Sequence, residues 1–397
     1  MNIWQEKADQ AAALLGELKL DCWLTFVRES STHPDPGVEL VVGADVVRPS
    51  AFLFSVSGAR TAIVANFDTA AVRARGVFTD VIGYDQDIRP HLLDVLHAWQ
   101  PEQIGLNFSG DDVTADGLTH GMWLKLQVLL SGTPFLDRLT SADLLLRRLR
   151  GQKSASEIVR IRAAVEITEQ IVAELETELR PGVSELQVAD FIQQTFRRAQ
   201  VTAAWPIDTC PIVNAGTESD FGHASPSATN VIQPGQLVHV DLGVRYEDYC
   251  SDLQRTWYIL RADEKEAPAE IQHAAAAVAD AIEAAAAALR PGAIGLDVDH
   301  AARETIVAAG YPEFMHAVGH GLGRAVHDGG TMLGPAWPCY GQMVRQRVEP
   351  GNVFTLELSV MTSAGCYGLE EDVLVTADGC EFISSYSRKL RTIAAQQ

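Results

Sequence analysis

Two aspartates, Asp241 and Asp252, interrupt an apolar, strand-like segment that reads VHVDLGVRYEDYCSDLQRTW. A hairpin centred on Tyr246 and Glu247 would place these aspartates directly opposite each other, with their Cβ atoms ~5 Å apart. Two carboxylates at that separation repel by about 3 kcal/mol at an effective dielectric constant of 20, a cost that asparagine or threonine would avoid. The pattern therefore predicts a cation between them.

A second acidic pair is predicted at Glu357 and Glu370, which would face each other across a hairpin centred on Ser363 and Ala364. The charge of these four carboxylates would be balanced by two divalent cations, and bridging carboxylates in two-metal sites hold the ions ~3.5–4 Å apart. A solvated strand residue explains any one of these acids equally well. Two pairs in equivalent positions favour a metal site.

Three histidines, His316, His320 and His327, lie between the acidic pairs in HAVGHGLGRAVHD. A single histidine is more often structural than catalytic, but three among several glycines predict a backbone that passes close to a site. The segment lacks the HExxH pattern of helical zinc peptidases, and GHGLG lacks the Lys and Ser/Thr of a phosphate loop. His223, in the polar loop DFGHASPS, is a further candidate for which a structural role is equally open.

The acidic segments belong to a unit that occurs twice. LRPGVSELQVAD at 179–190 resembles LRPGAIGLDVDH at 289–300, and PGQLVHVD at 234–241 resembles PGNVFTLE at 350–357. Each half is predicted to run helix, RPG turn, helix, PG turn, strand and acidic residue. Two matches in the same order favour a duplicated unit over chance.

A different organisation is predicted upstream, where short apolar runs alternate with helix-like segments over residues 21–137. This alternation is typical of a small α/β domain. The polar segment RRLRGQKSASEI then ends in a capping box formed by Ser154 and Glu157, which predicts the start of a long helix. We therefore expect two domains, 1–150 and 151–397.

Composition narrows the class of protein. The chain has 397 residues, of which 47% are hydrophobic and 21% charged, as in ordinary globular proteins. Its formal net charge of −21 disfavours nucleic acid and anionic membrane surfaces as partners. The N-terminus shows no leader pattern and the six cysteines form no CxxC pair, so we expect a cytoplasmic protein with reduced thiols.

Taken together, these acids and one histidine resemble, in order and spacing, the five metal ligands of the pita-bread metallopeptidases: Asp241, Asp252, His320, Glu357 and Glu370. That family includes prolidase, aminopeptidase P, methionine aminopeptidase and creatinase. The resemblance covers the second predicted domain, and the first is similar in size to the α/β domain that precedes it in prolidase, aminopeptidase P and creatinase. It implies an α+β chain whose C-terminal pita-bread fold is built on a duplicated unit.

The resemblance also implies a ligand set. Asp241 would bind one of two divalent ions, His320 and Glu357 the other, and Asp252 and Glu370 both. The family uses Mn²⁺, Co²⁺ or Zn²⁺, and we favour Mn²⁺ for an oxygen-rich site with a single imidazole.

Roles in the reaction follow from the same resemblance. Glu357 would carry a proton from the attacking water to the leaving amine. His223, His316 and His327 match the substrate-facing histidines of the family, and His223 and His327 would donate hydrogen bonds to the developing oxyanion. The family usually forms homodimers, and we expect one here.

Two positions depart from the family pattern. Met361 stands where EPGxY has tyrosine, and Gly368 stands where GxRxED has arginine. Both missing side chains belong to the polar network around substrate and metals. The substrate preference is therefore less well defined by the sequence than the hydrolytic chemistry.

The resemblance implies a peptidase that cleaves Xaa-Pro bonds in short peptides, and we expect an Xaa-Pro dipeptidase of the prolidase type. The alternative is aminopeptidase P, which acts on longer peptides. Metal-free, creatinase-like C–N hydrolysis and a non-catalytic binding role are disfavoured, because proteins of both kinds tend to lose the metal ligands that are all present here.

Overall fold

The computed structural model describes residues 2–219 and 225–394. The chain divides into two compact units, Met1–Arg150 and Gly151–Gln397. Each unit has its own apolar cores. Among the described residues, no helix is both long enough and apolar enough to cross a membrane.

The N-terminal unit is built on one mixed sheet. Its helices are α1 (Ile3–Leu18), α2 (Thr69–Ala74), α3 (Arg89–Trp99), α4 (His120–Leu130) and α5 (Asp143–Gly151). Its strands are β1 (Cys22–Val27), β2 (Ser50–Ser55), β3 (Arg60–Ala65), β4 (Asp80–Tyr84), β5 (Ile104–Leu106) and β6 (Leu139–Ser141). In the described residues they pair in the order β4-β3-β2-β1-β5-β6.

Both faces of this sheet are covered by helices. Every residue of β1 and β2 is buried. Trp23 and Phe54 point into a core that also contains side chains of α1 and α5, whereas Leu24 and Leu53 point into a core with α3 and α4. Strands buried on both faces are apolar throughout rather than alternating, which explains the continuous apolar runs in the sequence. The predicted α/β architecture of this part of the chain is confirmed.

The second unit combines paired helices with hairpins. Its helices are α6 (Ala155–Glu176), α7 (Glu185–Ala199), α8 (Ala269–Ala288) and α9 (Gly295–Ala308). Its strands are β7 (Thr202–Ala203), β8 (Ile212–Ala215), β9 (Leu237–Leu242), β10 (Val244–Tyr246), β11 (Tyr249–Cys250), β12 (Leu253–Ile259), β13 (Val353–Thr362), β14 (Gly365–Val375), β15 (Cys380–Phe382) and β16 (Arg391–Ile393). The described residues form sheets in the orders β16-β12-β9-β8, β13-β14-β15 and β11-β10-β7.

The predicted capping box and the predicted repeat are both confirmed. The Ser154 side chain accepts from the Glu157 backbone, and the Glu157 carboxylate accepts from the Ser154 backbone, at the start of α6. The two RPG turns lead from α6 to α7 and from α8 to α9. Their glycines, Gly182 and Gly292, adopt φ of 91° and 85°, a region that favours glycine.

The first acidic hairpin has a different register from the predicted one. Asp241 pairs with Gln254 rather than with Asp252. The turn is formed one residue later than expected, by Glu247 and Asp248, which adopt φ of 45° and 68°. Two left-handed residues suit the twist of a tight hairpin. Because the pairing moves by two residues, Asp252 stays on the same face of the hairpin as Asp241, at a diagonal position.

The second acidic hairpin has the predicted register. Glu357 pairs with Glu370, and Thr362 pairs with Gly365 at the turn. The two hairpins also contact each other: Thr256 Oγ1 of β12 donates to the Gly368 carbonyl of β14 at 2.7 Å. This contact brings the acidic residues of both halves of the repeat to one place.

Candidate metal centre

Three of the five predicted metal ligands lie in strands, one directly precedes a strand and one lies in a loop. Asp241 lies near the end of β9, Asp252 directly precedes β12, and Glu357 and Glu370 lie in the middle of β13 and β14. His320 lies in the segment between α9 and β13. The hairpins are held together beside these residues, since Arg255 Nη1 of β12 donates to the carbonyl of Glu370 at 2.7 Å.

The structure brings these five side chains together. Asp252, His320 and Glu370 are buried, and one potential ligand atom of each lies within 4.8 Å of the others. His320 Nε2 is 3.8 Å from Asp252 Oδ2 and 3.6 Å from Glu357 Oε1. The carboxyl groups of Asp241 and Asp252 lie within hydrogen-bonding reach of each other. The resulting cluster contains four carboxylates and one imidazole.

Three carboxylates of this cluster are buried next to one another. Burial raises the pKa of Asp241, Asp252 and Glu370 well above the ordinary value, and the neighbouring carboxylates raise it further. Asp241 Oδ1, Asp252 Oδ1 and Glu370 Oε1 are buried without a hydrogen-bond partner among the described residues. A buried, unpaired carboxylate is costly, and a divalent cation removes that cost. The donor set therefore fits divalent metal ions.

His320 is fixed by backbone contacts with β13. The His320 amide donates to Thr355 Oγ1 at 3.2 Å, and the Thr355 amide donates to the His320 carbonyl at 3.0 Å. A Cβ atom on Gly319 would lie 2.0 Å from the Thr355 carbonyl oxygen, so only glycine permits this approach. The spacing of glycines in GHGLG thus serves the close passage of the loop along the strand.

The imidazole of His320 is suited to metal binding. Burial, with a smaller contribution from His327, lowers the pKa of His320 to about 4, so the ring is neutral near pH 7. Its Nδ1 lies 3.4 Å from the Gly321 carbonyl, and a hydrogen on Nδ1 leaves the lone pair of Nε2 directed at the carboxylates. A neutral imidazole of this tautomer is the form that binds metals.

The remaining predicted histidines differ in their placement. His327 is exposed, and its ring meets the His320 ring edge-on with 4.4 Å between centroids. His316 is half-buried and contacts the Ala317 carbonyl and the Phe314 ring rather than the carboxylates. His223 lies outside the described residues.

Three functional candidates escaped the sequence analysis. Gln254 Nε2 donates to Glu357 Oε2 at 2.9 Å, and Gln254 Oε1 lies 3.0 Å from His239 Nε2. Asp372 is fully buried, burial raises its pKa well above the ordinary value, and its Oδ2 accepts from the Asp252 amide at 3.2 Å. The alternation of side chains along β14 could have revealed Asp372, which lies two residues after Glu370. Gln254 could have been found only with the observed strand register, in which it pairs with Asp241.

The loop that follows His320 is held by a buried ion pair. Lys153 Nζ lies 2.8 Å from Asp328 Oδ2, and both side chains are 2% exposed. Asp328 Oδ1 also accepts from the Ala325 amide at 3.2 Å. These contacts fix the residue next to His327 and so limit where that imidazole can lie.

Comparison with known proteins places the chain in a family. The chain is 26% identical to the uncharacterized peptidase YqhT of Bacillus subtilis (strain 168), over 86% of this chain and 90% of that protein. An Xaa-Pro dipeptidase from Bacillus anthracis superposes with a TM-score of 0.74 at 22% identity, covering 98% of this chain and 100% of the other. For the X-Pro aminopeptidase from Thermotoga maritima MSB8 the TM-score is 0.71 at 23% identity, with coverage of 97% and 99%.

These structural likenesses confirm the predicted pita-bread fold with its preceding α/β part. They cover nearly the whole chain. The family assignment comes from the sequence, because residues 159–377 match the sequence model of metallopeptidase family M24. That range includes all five residues of the cluster, and it is more than half of the chain. The protein therefore belongs to metallopeptidase family M24.

Proposed function

We propose that this metallopeptidase hydrolyses Xaa-Pro bonds in short peptides and that it is an Xaa-Pro dipeptidase. The observation that carries the proposal is the buried cluster, in which three carboxylate oxygens have no hydrogen-bond partner among the described residues and the neutral imidazole of His320 lies 3.8 Å from Asp252. The solved structures that share the fold include an Xaa-Pro dipeptidase and an X-Pro aminopeptidase, which supports the bond specificity.

Five residues would hold two divalent ions, with Mn²⁺ favoured: Asp241, Asp252, His320, Glu357 and Glu370. When bound, such ions lower the pKa of water and polarise a peptide carbonyl. The protein contributes a buried, oxygen-rich cradle in which the imidazole of His320 is already deprotonated at Nε2. Mn²⁺ suits this donor set because carboxylates outnumber imidazoles.

Glu357 is the proposed proton carrier. Its side chain is 22% exposed, compared with 8% for Asp252, so it can reach both the cluster and a bound peptide. Gln254 donates a hydrogen bond to Glu357 Oε2, and Glu357 Oε1 points toward His320. From this position the carboxylate can take a proton and pass it to the amine that leaves.

His327 is the proposed oxyanion donor among the described residues. Its ring is exposed yet packs on His320, so an N–H group can point at a peptide carbonyl beside the cluster. Donors aimed at developing negative charge are worth a few kcal/mol in the transition state. We assign the same role to His223, and a substrate contact to His316.

Peptide length separates the dipeptidase from the alternative, aminopeptidase P. We expect the Mn²⁺-loaded protein to cleave Ala-Pro faster than Ala-Pro-Ala or a longer Xaa-Pro peptide, and a chelator to abolish cleavage of all three. Ala-Ala is the matched control for the proline requirement. Faster cleavage of the longer peptides would favour aminopeptidase P, and equal cleavage of Ala-Ala would refute the Xaa-Pro specificity.

Three further expectations from the sequence belong to the proposal. A homodimer should give twice the mass of the 43.0 kDa chain in light scattering. The predicted domains 1–150 and 151–397 are supported by the two compact units, and separate expression of each would test them. A cytoplasmic location would be tested by cell fractionation.

A further inference from the structure

One face of the first hairpin carries polar residues beside the metal cluster. His239 and Asp241 lie two residues apart on β9, and Gln254 pairs with Asp241 from β12. Gln254 is 8% exposed and His239 is 3% exposed. Both are therefore buried polar groups placed directly next to a proposed metal ligand, where each hydrogen bond must be matched to a partner.

The amide of Gln254 has a defined orientation. Its nitrogen donates to Glu357 Oε2 at 2.9 Å, so its oxygen is directed at His239 Nε2, 3.0 Å away. An amide oxygen only accepts hydrogen bonds, and the hydrogen of this pair must therefore be on His239 Nε2. The imidazole in this way fixes which end of the amide meets the carboxylate.

The far side of His239 contacts Asn214. His239 Nδ1 lies 3.3 Å from Asn214 Oδ1, and Asn214 Nδ2 donates to Ser219 Oγ at 3.0 Å. Ser219 Oγ donates to Glu185 Oε1 at 2.6 Å. Hydrogen bonds thus run from the buried Glu185 at the start of α7 to Asn214, whose Oδ1 lies next to the ring nitrogen of His239 that does not face Gln254.

The same two side chains fill the space next to Gly368. A Cβ atom on Gly368 would lie 2.7 Å from His239 Nε2 and 3.0 Å from Gln254 Oε1. The Gly368 backbone is held at this distance, since its carbonyl accepts from Thr256 Oγ1 and its amide donates to the same oxygen at 3.2 Å. A side chain at the position where the family pattern has arginine would require His239 or Gln254 to move, and a neutral amide–imidazole pair occupies the space.

We propose that Gln254 and His239 form a positioning pair that holds the carboxylate of Glu357. By donating to Oε2, Gln254 leaves Oε1 on the side of His320 Nε2, 3.6 Å away, where both atoms would be available to a metal ion. The proposal rests on the proposed role of Glu357 as ligand and proton carrier. Residues that orient metal ligands in this way typically contribute about 10- to 100-fold to metal affinity or activity.

Three variants test the pair. Gln254→Met keeps the shape of the side chain but removes the donor, and we expect Mn²⁺ affinity or kcat on Ala-Pro to fall about 10- to 100-fold. His239→Leu should give a smaller loss, because Gln254 can then rotate. His239→Gln places an amide nitrogen near the position of Nε2 and should restore most of the wild-type values. A role in packing alone would not separate His239→Gln from His239→Leu.

A readout without peptide makes the test independent of the substrate. In Co²⁺-loaded protein the visible absorption spectrum reports the ligand geometry, and we expect it to change in Gln254→Met and in His239→Leu but not in His239→Gln. Isothermal titration with Mn²⁺ provides the affinities. An unchanged spectrum together with an unchanged Mn²⁺ affinity in Gln254→Met would overturn the positioning role.

Failure of the proposed function would look different. In that case the wild-type protein would cleave no Xaa-Pro peptide, while the spectra and affinities of the variants would still follow the order given above. A double variant adds a further check: if the two residues act as one unit, His239→Leu should cost little once Gln254→Met is present. Additive losses would contradict the pair.

Discussion

Glu357 differs from Asp252 and Glu370 in its greater exposure, and its carboxylate accepts from the neutral amide of Gln254. Glu370 is 1% exposed and pairs with Glu357 across the hairpin, but it faces the other carboxylates. Only a group that reaches both the cluster and the solvent-facing side can exchange a proton with a substrate. This difference in exposure is the reason why we propose Glu357, rather than Asp252 or Glu370, as the proton carrier.

We expect Glu357→Gln to lower kcat on Ala-Pro by about 10²- to 10⁴-fold, because the amide cannot take up a proton. Steady-state kinetics of the Mn²⁺-loaded variant would measure the loss. Glu178→Gln, at an exposed position whose carboxylate lies 3.3 Å from Arg180, is the matched control and should retain activity. Full activity of Glu357→Gln would remove its proposed role.

Residue types and spacing were enough to predict that the four acids lie together, and the family resemblance selected His320 among three histidines, but neither indicated Gln254 or His239. Charged side chains at repeated positions stand out in a sequence, since burial of charge needs an explanation. Gln254 and His239 are uncharged or weakly basic residues whose types alone do not indicate a site. The strand register places Gln254 opposite Asp241, and His239 lies two residues before Asp241 on the same face. Contacts of this kind depend on pairing that the sequence left ambiguous.

At the scale of elements, the accuracy of each predicted hairpin depended on its turn. Ser363 and Ala364 form the turn expected for the second hairpin, and its register is confirmed. In the first hairpin the turn residues are Glu247 and Asp248, which are neither glycine nor asparagine although both have positive φ. The residue types alone therefore did not favour a turn at Glu247 and Asp248 over one at Tyr246 and Glu247. The helices were easier, because the capping box marks the start of α6 directly.

The passage of the His320 loop along β13 leads to a prediction for Gly319. In Gly319→Ala the new methyl group would collide with the Thr355 carbonyl, so the loop must move away from the strand. Overpacking of this kind costs about 1–3 kcal/mol. We expect a lower melting temperature and weaker Mn²⁺ binding, measured by calorimetry.

Gly379→Ala is the matched control for this steric argument. A Cβ atom on Gly379 would meet nothing within 4 Å, and this glycine is not among those with positive φ. The control should leave Mn²⁺ affinity unchanged. If Gly319→Ala also bound Mn²⁺ with wild-type affinity, the close approach would not be what positions His320.

At the scale of the whole molecule, the buried cluster explains part of the excess of acidic over basic residues. The chain has a formal net charge of −21, and part of that charge is concentrated in a buried cluster rather than spread over the surface. Solubility alone would not place Asp241, Asp252, Glu370 and Asp372 where burial raises the pKa of each. The composition indicated an acidic protein, and the duplicated unit indicated where the acids would converge.

This cluster makes the stability of the metal-free protein depend on pH. The pKa of each buried carboxyl is raised above its unfolded value, near 3.8 for aspartate and 4.5 for glutamate. The contribution of such a group is fully present below the unfolded pKa and is lost as pH rises through the raised folded pKa. The metal-free protein should therefore become less stable from about pH 4 upward. His320 acts in the opposite sense, because its pKa is lowered to about 4 and its contribution to stability grows as pH rises from there to the ordinary value of 6.5.

Divalent ions should reverse this loss, because they bind the deprotonated carboxylates and release their protons. At a free concentration of 100 Kd, one bound ligand stabilises the folded state by about 2.7 kcal/mol. We expect Mn²⁺ to raise the melting temperature more at about pH 7.5 than at about pH 5, and calorimetric heats in buffers of different ionisation enthalpy to show proton release. In Asp252→Asn both effects should shrink, since one titrating ligand is gone. Equal stabilisation at both pH values, with heats that do not depend on the buffer, would mean that Mn²⁺ binds elsewhere than at these carboxylates.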